Sequence, residues 1–137
     1  MKQEFNDPIH AVQLSSDSNL ILAYTKFGHL DGFPQCIVWD TKSRRKVSQI
    51  TIDDYELKCV YFSNYNNMLL VVSYDGKSKS TISVWDFTEG RRDYLSKSVV
   101  PFEVKDARWN PYLNNTVDEF VTISDDFYHY WRITKQM

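Results

Sequence analysis

Apolar and polar residues alternate along three stretches of the chain, 9–14, 57–62 and 104–109, the period of two expected where one face of a strand is covered. Each stretch runs into turn-forming residues: Ser15-Ser16-Asp17-Ser18-Asn19, Ser63-Asn64-Tyr65-Asn66-Asn67 and Asn110-Pro111-Tyr112-Leu113-Asn114-Asn115. Asn, Asp, Ser and Pro favour tight turns, so a hairpin is predicted at each. A more apolar run follows each turn, at 20–25, 68–74 and 119–124, and runs of that length suit strands covered on both faces. A third short strand then closes on a tryptophan: Cys36-Ile37-Val38-Trp39-Asp40, Ile82-Ser83-Val84-Trp85-Asp86 and His129-Tyr130-Trp131-Arg132-Ile133. Trp39, Trp85 and Trp131 stand 46 residues apart in both intervals. A fourth, outer strand is predicted at 47–52 and 97–102, while only residues 132–137 follow Trp131, so the third unit lacks its outer strand. No segment reads as an amphipathic helix or a linker, and residues 26–35, with Gly28, Gly32 and Pro34, form a long loop.

A repeat of about 40–50 residues that contains four strands is the signature of a propeller blade. The pattern predicts an all-β fold in which residues 1–137 form one partial ring, with blades at about 9–52, 57–102 and 104–133. The units Ser15 to Asp40, Ser63 to Asp86 and Asn110 to Arg132 resemble the WD40 repeat, a strand, a Ser/Asn-rich turn, an apolar strand and a strand ending in Trp-Asp. They depart from it in two ways. Asn6-Asp7-Pro8, Asp53-Asp54-Tyr55 and Pro101-Phe102-Glu103 stand where the family has Gly-His, and the one Gly-His, Gly28-His29, lies inside a loop. Trp131-Arg132 also replaces the third Trp-Asp. The family's hydrogen-bond network of His, Ser, Asp and Trp is therefore not expected, and apolar packing carries more of the load. Degenerate units of this kind look like those of cytoskeletal WD-repeat proteins, the echinoderm microtubule-associated-protein-like family and the cilia- and flagella-associated proteins. The resemblance implies a protein-interaction scaffold in a cytoskeletal, ciliary or axonemal assembly.

Propellers close with about 4–8 blades, so an arc of three is expected to be completed by further blades or a partner chain. With 16 Lys+Arg against 18 Asp+Glu, the net charge of -2 creates no field for nucleic acid or an anionic membrane. That leaves other proteins as the expected partners, and it weighs against an RNA-binding propeller more than against a peptide or modified-residue reader. Cys36 and Cys59 lie far apart with no CxxC pairing, as small core residues of a reducing compartment do. No stretch approaches the ~18 consecutive apolar residues of a membrane span, and the first 20 residues do not read as a secretory signal. A cytoplasmic location is the resulting expectation.

No enzyme, cofactor or metal chemistry is expected. Gly76-Lys77-Ser78 has Val71 where a phosphate-binding loop needs its first glycine. His10, His29 and His129 lack zinc-site spacing, and Asp53-Asp54 and Asp125-Asp126 lack the alternating oxygen ligands of a calcium loop. Asn114-Asn115-Thr116 matches a glycosylation acceptor without a secretory context. Trp39, Trp85 and Trp131 are expected to pack between blades. Tyr61, Tyr65, Tyr112, Tyr128 and Tyr130 are candidate peptide anchors wherever they surface. The candidate partner-binding residues are Lys42, Arg44, Arg45 and Lys46 after the first Trp-Asp, and Arg91 and Arg92 after the second. Equivalent tips of successive blades lie side by side, where they would attract an acidic surface such as a tubulin tail.

Overall fold

The computed structural model describes residues 8–28, 32–65, 67–87, 94–111 and 117–134. They form eleven strands: β1 (Ile9–Leu14), β2 (Leu20–Thr25), β3 (Gln35–Asp40), β4 (Lys46–Thr51), β5 (Glu56–Phe62), β6 (Met68–Tyr74), β7 (Ser80–Asp86), β8 (Tyr94–Val100), β9 (Asp106–Trp109), β10 (Val117–Ile123) and β11 (Tyr128–Thr134). These make three antiparallel sheets of sequential strands, β1-β2-β3-β4, β5-β6-β7-β8 and β9-β10-β11. The fold is all-β, an incomplete propeller of three blades.

Some boundaries differ from the sequence pattern. The outer strands begin earlier, at Lys46 and Tyr94 rather than at positions 47 and 97, and before β4 the turn is tighter than the polar run implied. Asp40 makes that turn: its carboxylate accepts the Lys42 and Ser43 amides at 2.9 and 2.8 Å, and Arg44 takes a left-handed φ of 61°. The third blade's first strand covers only Asp106–Trp109, the preceding Val104 amide being donated at 2.8 Å to the buried Ser80 hydroxyl of blade 2.

One turn device recurs. Ser15 and Ser63 close the first hairpins of blades 1 and 2, each bonded through its amide to the carbonyl of the residue opening the next strand, Leu20 or Met68, and accepting that residue's amide on its hydroxyl. Asn110 occupies the same place in blade 3, donating its amide to the Glu119 carbonyl at 2.8 Å.

Two apolar layers join the blades. Leu22, Tyr24, Cys36, Val38, Ile50 and Ile52 of blade 1 pack on Leu57, Val60, Phe62, Leu69, Val71 and Phe87 of blade 2. On its other side blade 2 offers Cys59, Met68, Leu70, Val72, Ile82, Val84 and Val100 to Val104, Ala107, Trp109 and Phe120 of blade 3. Both cysteines are free and buried, and burial pushes the Cys59 thiol up to about 12, which leaves it inert. First strands of adjacent blades are stitched directly: the Phe62 amide donates to the Gln13 side chain at 3.2 Å, and Trp109 Nε1 donates to the Tyr61 carbonyl at 3.3 Å.

Candidate functional site

Strand pairing sets the three blades in one common register. Leu22 faces Val38, Leu70 faces Val84 and Val121 faces Tyr130, while Tyr24 faces Cys36, Val72 faces Ile82 and Ile123 faces Tyr128. One step further, Leu20 pairs with Asp40, Met68 with Asp86 and Glu119 with Arg132. These positions all lie on the sheet face that in blades 1 and 2 is covered by the following blade. In blades 1 and 2 they are aliphatic or buried, except for the half-buried Asp40 and Asp86. In blade 3 the face is Tyr128, 72% exposed, Tyr130, 58%, Ile123, 48%, and the half-buried Val121.

A polar network borders that third face. Arg132 pairs with Glu119 at 3.2 Å, Asn110 Nδ2 donates to Glu119 and to the Tyr130 hydroxyl at 3.1 Å each, and the Tyr130 hydroxyl donates to Glu119. The Tyr130 hydroxyl bond, with help from Asn110 and Arg132, holds the Glu119 carboxyl below its ordinary range. The arginine that breaks the third Trp-Asp is thus matched by a glutamate where blades 1 and 2 carry Leu20 and Met68. Sequence reasoning flagged Arg132 as a departure but missed its partner, which the strand pairing alone reveals.

The opposite faces carry the tryptophans. Trp85 lies half-buried against the layer between blades 1 and 2, and Trp131 against the layer between blades 2 and 3. Trp39 is buried with Ala23 and Ile37 on the side of blade 1 turned away from blade 2. Part of the tryptophan hydrogen bonding survives: Trp131 Nε1 donates to Thr122 and Trp85 Nε1 to Ser83, both at 2.9 Å. Ala23 and Ile37 fill the two matching positions in blade 1, so no side-chain acceptor stands there. His129 stacks on Phe102 at 5.4 Å and meets Phe127 at 5.2 Å. Among the described residues, no cluster of His, Cys, Asp and Glu could hold a metal ion.

Lys42, Arg44 and Arg45 lie exposed on the β3–β4 turn, but Lys46 belongs to β4 and its ammonium is donated to Gln49 at 2.8 Å. Arg91 and Arg92 lie outside the described residues, as do Tyr112, His29 and the Asn114-Asn115-Thr116 motif. Tyr65 is exposed, whereas Tyr61 is half-buried between blades, its hydroxyl donating to Asp106 at 3.1 Å and its ring under the Arg108 guanidinium.

At the strand ends opposite the basic turn, ion pairs link all three blades. Lys26 meets Glu56 at 3.6 Å, Lys58 meets Glu56 at 3.3 Å and Glu103 at 2.9 Å, and Lys105 meets Glu103 at 2.9 Å and Asp125 at 3.9 Å. Burial alone would lower the Lys58 pKa, but its bonds to Glu103 and Glu56 outweigh that and raise it. The ladder holds neighbouring blades in register.

No protein-family model matches this chain, and no curated protein matches it. Solved structures do. An uncharacterised protein, lmo1340 of Listeria monocytogenes EGD-e, superposes with a TM-score of 0.60 at 14% identity, over 90% of this chain and 36% of that one. The β-propeller domain of Cps50 (Swd1) from Myceliophteria thermophila superposes with a TM-score of 0.59 at 13% identity, over 91% of this chain and 39% of that one. The chain therefore spans little more than a third of each of these proteins, and the likeness, at this identity, is one of fold alone, that of a β-propeller.

Proposed function

We propose that this chain is a non-catalytic protein-interaction scaffold whose main docking surface is the outer face of the third blade. One observation carries the reading: Ile123, Tyr128 and Tyr130 stand in water at the register positions that blades 1 and 2 bury against a neighbour, and Arg132 lies exposed at their border. Tyrosine and arginine dominate binding energy at protein interfaces. The preferred occupant is another sheet face, stacked as blades 2 and 3 are stacked, because the strand geometry beneath is the same. A photo-crosslinker at Tyr128 should capture a protein that the same group at Lys79, on an exposed turn, does not. Identical captures at the two positions would sink the proposal.

A cytoskeletal or axonemal setting is the finer reading. It is supported by the resemblance of the degenerate repeats and by the exposed Lys42, Arg44 and Arg45 on one turn, which suit an acidic surface such as a tubulin tail. Microtubule co-sedimentation should weaken with Arg44→Glu plus Arg45→Glu and with added salt. Sedimentation indifferent to both would leave this turn as ordinary solvated surface.

A further inference from the structure

Between blades 1 and 2, at the strand ends that carry the ion ladder, an open cavity of about 410 Å³ is lined by Phe27, Gly28, Gly32, Phe33, Asp53, Asp54 and Tyr55. Three of its walls are aromatic rings in partial contact with water: Phe27 is 42% exposed, Phe33 45% and Tyr55 61%. Single surface aromatics are ordinary, but three around one hollow mark a binding surface.

The walls are held in place. Phe27 bridges to Glu56, the Leu57 amide donates to the Lys26 carbonyl at 2.8 Å, and the Ile52 amide donates to the Pro34 carbonyl at 2.9 Å. Tyr55 packs on Phe27 with ring centres 5.3 Å apart and rests on Gly76, where a Cβ would come within 2.7 Å of the Tyr55 ring. Any larger residue at Gly76, whose φ is +81°, would be strained and would push the tyrosine aside.

Among the described residues the charged groups lining the hollow are Asp53 and Asp54; Lys26 adjoins Phe27 in the chain, and Lys77 and Lys79 follow Gly76. Lys26 is already engaged, with Glu56 at 3.6 Å and with the Phe27 ring at 5.5 Å. Lys77 and Lys79 lie on a turn whose amides are gathered by Asp75, and neither lines the cavity. Asp54 accepts the Tyr55 amide at 3.1 Å, and among the described residues neither Asp53 nor Asp54 has an ion-pair partner. Aromatic faces with unpaired carboxylates at their rim attract a cation, and a planar guanidinium satisfies both at once by stacking on the rings and forking to the acids.

We propose that this hollow takes an arginine side chain from an extended segment of a partner protein. The inference deepens the scaffold reading but occupies a different surface, so a variant at Tyr55 leaves Tyr128 and Tyr130 intact and the two can fail separately. The probe is a short capped peptide, Ala-Ala-Arg-Ala-Ala, compared with the same peptide carrying citrulline, which keeps the shape and removes the charge. Amide NMR titration to about 10 mM peptide should move the Tyr55 and Asp54 signals, with arginine preferred over citrulline by about tenfold. Tyr55→Ala and Asp53→Asn should each weaken binding by about tenfold while the remaining amide spectrum stays that of the folded chain. Equal binding of the two peptides, binding indifferent to both variants, or no shift at these amides would overturn the assignment.

Discussion

Leu70, Val72, Ile82 and Val84 in the second blade, and Val121, Ile123, Tyr128 and Tyr130 in the third, occupy the same four register positions on the same side of a sheet. The first set is at most 3% exposed; in the second, three residues stand roughly half or more in water. The backbone is shared, so the difference lies in the side chains. A tyrosine presents an apolar ring with a polar tip that can face water, and the Glu119–Arg132 pair removes the apolar Leu20 or Met68 equivalent from the border. In stacked repeats a bare aliphatic face demands a neighbour; this one tolerates water and still offers rings to a partner.

The largest expected effect is on the covered side. Leu70→Ala, at a fully buried position, should cost about 2–5 kcal/mol, read from the denaturation midpoint. Tyr130→Ala on the third face should cost less than about 1 kcal/mol. Equal losses would erase the contrast between the faces. Trp85→Ala should cost about 3 kcal/mol, the low end for a large aromatic because the ring is half-buried; an unchanged midpoint would mean that the layer between blades 1 and 2 does not depend on it.

Lys58→Met tests whether charge, beyond packing, joins the blades. It leaves Glu56 and Glu103 without the ammonium they share and should cost about 1–2 kcal/mol, less in high salt. A gain in stability would show that this half-buried link is better made of apolar groups.

Exchanging the third face for the second is the direct test. Glu119→Met, Tyr128→Ile and Tyr130→Val together should leave the fold intact but cause concentration-dependent self-association in sedimentation velocity, beyond that of the parent chain. Sedimentation unchanged from the parent would mean that aliphatic character is not what forces a blade to seek a neighbour.

The smallest effect is one of pH. Since Glu119 has a lowered pKa in the folded chain, its contribution is present above the ordinary carboxylate range and is lost as pH falls through the folded value. The stability difference between the parent and Glu119→Gln should therefore shrink as pH drops from neutral into the acid range, as urea midpoints would show. A constant difference would detach Glu119 from titration.

The repeat itself was legible in the sequence, because a strand's period of two, its Ser/Asn turns and the equal spacing of Trp39, Trp85 and Trp131 are all local signals. They placed every strand to within a few residues. They could not tell that Lys46 leaves the basic turn for β4, since a carboxylate at Asp40 gathering amides tightens a turn only when the chain closes around it. Nor could they show that Glu119 lies opposite Arg132, or that Asp53, Tyr55, Phe27 and Phe33 from two different connections enclose one hollow. Periodicity reports which face a residue is on; register between strands and the meeting of distant loops are set by packing across the sheets, and only the tertiary structure decides them.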